Sequence, residues 1–228
     1  MKMKEDRMAE YLRRQSRKLA LAGVAALALG CAPTKPHIEA LSSDDLDARR
    51  TAALRLQSLG PRGRRALPPL KDAAQDPDPE LRRLAIEAIG SMGKHAWKAH
   101  VVLMKATRDP DVHVRRSAVD AMGKFEKFPS SALPYLVRAL GDSDSLVREF
   151  AMNTFEDLGS NALGTLVVAL DNSNVMVRRS AARTLGRLGH EALRAERALR
   201  DACEDRDREV SRLAGEALER LEMYKPVN

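Results

Sequence analysis

Apolar residues recur along this chain in short runs at helical spacing, and the runs themselves recur. In DPDPELRRLAIEAIG they stand at Leu81, Leu84, Ala85, Ala88 and Ile89, the spacing of one helix face. Asp78 precedes the run, where its carboxylate can accept from an orphan N–H. Pro79 follows at the first helical position, where a missing N–H costs nothing. Gly93 lies just past the run, where the chain needs a left-handed turn. Gly60, Gly159 and Gly189 match it, but the third copy has Glu126 there, so its turn should differ. A shorter run follows each longer one: ALPPLKDAA (66–74), ALPYLVRAL (132–140) and ALGTLVVAL (162–170). Its apolar positions centre on Leu70, Leu103, Leu136, Leu166 and Leu199, again on one helix face. His100 and Glu196 interrupt that face. Pro68, Pro69 and Pro134 fall in the first turn of these shorter helices, where proline is tolerated.

The copies align on Ala52, Ala85, Ala118, Ala151, Ala181 and Ala214, in steps of 33 residues with a single step of 30 between the fourth and fifth. Three residues earlier stand Arg49, Arg82, Arg115, Arg148 and Arg178, with Ser211 in the sixth copy. Four residues before those stand Asp45, Asp78, Asp111, Asp144, Asn174 and Asp207. A fixed period of this length predicts stacked two-helix units forming one elongated domain. Hydrophobic content is 44% but aromatic content only 4%. Ala, Leu and Val must fill the core, which favours close-packed helices. The prediction is an all-α solenoid of about six helix pairs, the last incomplete, over residues 44–228.

The pattern Asp-x-x-Val/Leu-Arg-x-x-Ala-x-x-Ala-Leu-Gly, clearest in DNSNVMVRRSAARTLG (171–186), resembles the short bacterial HEAT repeat. Phycobilisome lyase subunits carry the same type, whereas the ankyrin and tetratricopeptide signatures are absent. The resemblance covers roughly residues 43–223. It implies that the second, shorter helix of each unit lines a concave side. It also implies a charged ladder through the turns, with Asp76, Asp109, Asp142 and Asp205 pairing with arginines of adjoining copies.

The first 31 residues differ from the rest. Residues 1–18 hold seven Lys/Arg against three Asp/Glu, followed by an uncharged apolar run from Leu19 to Gly30 and then Cys31. A basic segment, a short apolar one and a small residue before the cleavage point describe an export signal. The run is shorter than the roughly 20 residues that span a membrane. LALGC, ending at Cys31, resembles a bacterial lipobox, which implies cleavage before Cys31 and lipid on its sulfur. An ordinary cleaved signal and an uncleaved anchor are the other readings, and either Met1 or Met8 could start the leader. The expected organisation is a signal peptide over 1–30, a tether over 31–43 with HIEAL as a capping helix, and the solenoid over 44–228. The expected location is the cell envelope, lipid-anchored; Ala32 after the cysteine implies the outer membrane where the cell has one. Removing the leader lowers the net charge from +7 to about +3, which weakens the case for nucleic acid. With Cys31 lipidated, Cys203 has no disulfide partner and reads as a small buried side chain.

His37, His95, His100, His113 and His190 give no HExxH and no Cys/His metal spacing. A HEAT-like hydroxylase family holds iron through several His–Glu pairs; this chain has only His190–Glu191. No nucleophile motif or phosphate-binding glycine loop appears. No catalytic residue, metal or cofactor is therefore expected. Trp97, the lone tryptophan, is expected to pack against a neighbour. The outward positions of the shorter helices are more informative. Helical register places Arg65, Lys98, Val101, Lys105, Arg138, Val168, Arg194 and Arg197 there as candidate partner-binding residues, with Asp72 and Asp201 the acidic ones. An ordinary solvated face would look similar. The expected function is a membrane-tethered, non-catalytic scaffold for an acidic protein or peptide, with neither nucleic acid nor a small-molecule substrate. A lyase-like subunit or chromophore chaperone is the alternative, and a nucleic-acid binder the second.

Overall fold

The computed structural model describes residues 34–125 and 127–224. The segment expected to be a signal peptide, Cys31 and Glu126 lie outside the described residues.

Two rows of helices alternate along the chain. The long row holds α2 (Leu46–Leu59), α4 (Pro79–Ser91), α6 (Val112–Gly123), α8 (Ser145–Leu158), α10 (Val175–Leu188) and α12 (Arg208–Glu222). The short row holds α1 (Thr34–Ala40), α3 (Leu67–Ala73), α5 (His100–Ala106), α7 (Leu133–Ala139), α9 (Leu163–Ala169) and α11 (Glu196–Ala202). The segment read as a tether with a capping helix is thus helical from Thr34. α1 packs on α2, and Leu41 behind it is buried. Among the described residues, read as short helix then long, the stack holds six pairs, with α1 in the first and α12 in the last.

Each long helix starts at its Asp or Asn. Asp45, Asp78, Asp111, Asp144, Asn174 and Asp207 are extended, and each side chain accepts from an N–H of the first turn. This satisfies donors that the helix itself leaves unpaired. The helices end where Gly60, Gly93, Gly159 and Gly189 adopt φ of 53 to 56°, a region that favours glycine. In the third copy the chain leaves α6 through Lys124 at φ −85°, and the next 3-10 segment starts after Pro129. Short 3-10 segments link long helix to short.

The core is continuous. Leu70, Leu103, Leu136, Leu166 and Leu199, the centres of the short helices, are all fully buried, packed among the alanines of the repeat. Neighbouring long helices lie close together. A Cβ added at Gly90 would come within 2.9 Å of Ala121 on α6, and one at Gly186 within 3.1 Å of Ala217 on α12. Neighbouring short helices approach each other much less. A stack bends toward the row whose members lie closer, so its inner side is the long row. The short row is the splayed, outer side, contrary to what the resemblance implies for the shorter helices.

Candidate functional site

The charged residues of the turns form a two-rail ladder. On the first rail, Arg82 donates from Nε and Nη2 to both oxygens of Asp109 at 2.8 Å. Arg115 does the same to Asp142 at 2.9 and 3.0 Å, and Arg178 to Asp205 at 2.7 and 3.0 Å. Arg49 reaches Asp76 only through Nη2, at 3.4 Å. Each of these arginines turns Nη1 back onto a carbonyl of its own turn, as Arg115 does onto Asp109. One guanidinium thus fastens two consecutive turns in a bidentate, directional way.

The second rail was not read from the sequence. Arg50, Arg116 and Arg179 each form a fork with the N-cap of the next long helix: Asp78, Asp144 and Asp207. The available signal was the arginine directly after each ladder arginine. The guanidinium hydrogen bonds hold Asp78, Asp144, Asp205 and Asp207 below the usual carboxylate range, Asp207 at about 2. Arg83 departs from the rail, since Glu80 and Glu87 of its own helix take its guanidinium.

All eight register-predicted residues are exposed along the short row. Arg65, Lys98 and Arg194 stand in the 3-10 links that lead into α3, α5 and α11. Val101 and Lys105 are on α5, Arg138 on α7, Val168 on α9 and Arg197 on α11. Among the described residues, none of the six basic ones makes an ion pair. The long row contrasts with this: Arg83 is taken by Glu80 and Glu87, Arg187 by Glu149 and Glu156, and Arg212 by Glu209 and Glu216. Much of the long row's charge is spent internally, although Arg55, Arg208 and Arg220 there make no ion pair among the described residues; on the short row Arg200 pairs with Glu196, and the six candidate cations stay available.

Two adjoining cavities open beside α7. One, of about 600 Å³ between α7 and α9, is lined by Leu133, Pro134, Val137, Gly164 and Val168. Val168 is 73% exposed, the free apolar wall of that cavity. The other, of about 640 Å³, shares Pro134, Val137 and Asn172 and adds Arg108 and Arg138. The first is an apolar trough; the second is mostly polar, with Arg108 and Arg138 set beside Asp109, Arg115 and Asp142.

Other candidates fall elsewhere. Trp97 stacks on a neighbour, His100, with ring centroids 6.4 Å apart, yet stays 51% exposed. Its 3-10 segment turns the indole out beside Lys98 on the short row. Glu191 accepts from the Ser160 N–H at 2.8 Å, which ties two repeats together, while His190 faces the Tyr224 ring. Cys203 is half-buried, and burial pushes its thiol pKa up. Among the described residues no group of three His, Cys, Asp or Glu is placed to hold a metal ion, and no helix is long and apolar enough to cross a membrane.

A family profile for HEAT repeats matches residues 34–101 and 100–167, and one for the PBS lyase HEAT-like repeat matches 177–205. No curated protein matches the sequence. Among solved structures, an engineered protein aligns over 84% of this chain and 97% of its own, with 20% identity and a TM-score of 0.55. A designed armadillo repeat protein in complex with the peptide (KR)4 aligns over 83% and 100%, with 20% identity and a TM-score of 0.52. The complex of CpcE and CpcF of phycocyanin lyase from Nostoc sp. aligns over 80% and 74%, with 21% identity and a TM-score of 0.52.

Proposed function

The chain belongs to the HEAT-repeat proteins, and from that premise we propose that it is a non-catalytic scaffold that holds an acidic protein or peptide along its short-helix face. The observation that carries this is the set of six unpaired basic side chains, set beside an apolar trough and spread over several repeats. A cation already paired within the fold has little left to offer a partner; an unpaired one steers an oppositely charged surface and selects its sign. Val101, Val168 and the trough supply apolar area, which charge alone cannot replace. The scaffold is held at the bacterial envelope by lipid on Cys31, facing the compartment to which its leader directs it.

Photo-crosslinking groups at Val101 and Val168, with Leu54 on the long row as comparison, test the binding face in native membranes. Discrete adducts from positions 101 and 168 are expected. Adducts from Leu54 alone would move the site to the long row. Membrane fractionation of Cys31→Ser against wild type tests the anchor independently, and an unacylated, soluble wild-type protein would end that part.

A second reading, a lyase-like subunit or chromophore chaperone, is favoured by the PBS lyase HEAT-like match over 177–205 and by the likeness to the lyase complex. Purification with a covalently or tightly bound chromophore would select it.

A further inference from the structure

The junction between α8 and α10 differs from every other in the stack, and we propose that it is a carboxylate-binding site built on Arg148. Three observations converge there. The repeat step is 30 residues instead of 33, and the 3-10 link Gly159–Ala162 has four residues where three other links have seven. α8 and α10 also pack less closely than the other neighbouring long helices. Finally, both ladder rails are interrupted. Asn172 stands where the other turns have an aspartate, Asn174 replaces the N-cap aspartate, and Glu149 replaces the second-rail arginine.

Arg148 is left half-committed. Its Nη1 donates to the carbonyls of Asp142 at 2.7 Å and Ser143 at 3.0 Å, as its counterparts do. The Nε and Nη2 edge, which in Arg178 grips Asp205, has no carboxylate among the described residues. The acceptor oxygen of Asn172 takes the Asn174 N–H at 2.9 Å, so the turn keeps its shape and only the negative charge is missing. Beside Arg148 a cavity of about 250 Å³ opens between the two helices, lined also by Ser145, Met152, Met176, Arg179 and Arg183. The two carboxylates on its rim are engaged, Glu149 with Arg187 and Glu209 with Arg212. The planar edge of Arg148 matches a planar carboxylate in two parallel hydrogen bonds. An incoming carboxylate supplies the missing rung and ties the fourth repeat to the fifth. It comes either from an acidic side chain of a partner or from a free dicarboxylate.

Thermal melts of the full-length protein test this, with malonate and acetyl-hexaglutamate amide as probes and sodium chloride at matched ionic strength as control. Binding to the folded state alone raises the midpoint, here by about 2–4 °C at saturation for a chain of this size. Asn172→Asp should raise the midpoint without ligand and abolish the response to both probes. Arg148→Gln should abolish the response without raising the midpoint. A response to the peptide at lower concentration than malonate assigns the site to a partner's side chain; a response to malonate alone assigns it to a free dicarboxylate. An unchanged midpoint in Asn172→Asp, or a probe response that survives it, overturns the proposal.

Discussion

A guanidinium that grips the next turn with one edge and its own turn with the other does the work of two contacts. Arg115 and Asp142 are 15% and 13% exposed, between the limits of a solvated and a buried pair. Exposed pairs contribute about 0–1 kcal/mol and buried ones cost about 3–5 kcal/mol when broken. Arg115→Ala should therefore cost about 1–3 kcal/mol in urea unfolding. Arg148→Ala, which removes no carboxylate pair, should cost about 1 kcal/mol or less. Equal losses would deny the ladder its role. The first rail could be read from the sequence because arginine and aspartate repeat in register with the alanines. The second escaped because its aspartates already had a reason to be there as N-caps, so their other oxygen seemed unassigned. Both rails also set an acid limit. Aspartate in an unfolded chain titrates near about 3.9, whereas Asp78, Asp205 and Asp207 titrate lower when folded, the last at about 2. A depressed pKa adds stability that is complete above the unfolded value and disappears as pH falls through the folded one. Melting midpoints should hold from neutrality to about pH 5 and fall steeply between about pH 4 and pH 2. Asp205→Asn should lower the plateau and flatten the slope.

Between elements, the spacing of neighbouring helices is set by the smallest side chains. Gly141 shows this at the altered junction: an added Cβ would meet Asn174 Nδ2 and Val177 Cγ2, both at 2.6 Å. The fifth turn sits directly on the fourth, and Asn174 Nδ2 donates to the Gly141 carbonyl at 3.4 Å. Gly141→Ala should force these turns apart and cost about 1–3 kcal/mol, the usual range for overpacking. Limited proteolysis should then cut first between the fourth and fifth repeats; cutting elsewhere would place the weak point wrongly. The helices themselves were legible to within a residue or two, because cap, apolar period and glycine all repeat. The direction of bending was not. It depends on how closely each row packs, and that follows from pairs such as Gly90–Ala121, which join residues 31 positions apart. α1 was only partly legible, since seven residues with one proline carry too short a period to separate a helix from a tether.

At the scale of the whole molecule, ion pairing is uneven between the two rows. Much of the long row's charge is paired within its own helices, and the short row leaves six cations and an apolar trough facing outward. Exposure of the eight candidate residues followed from helical register alone, since a buried leucine fixes which positions point away. That these cations would stay unpaired did not follow, because pairing depends on neighbours brought in by the next repeat. The charge reversal Lys105→Glu with Arg138→Glu tests the short-row surface most directly. Both side chains are exposed and outside the ladder, so the melting midpoint should stay within about 1–2 °C of wild type. The measurement is the association rate of the partner captured at position 168, followed from low to high ionic strength. At low salt the reversal should slow association several-fold. The two proteins should converge as the screening length shrinks toward about 3 Å near 1 M salt. Equal association rates at low salt would contradict the account and remove the short-helix face as the binding surface.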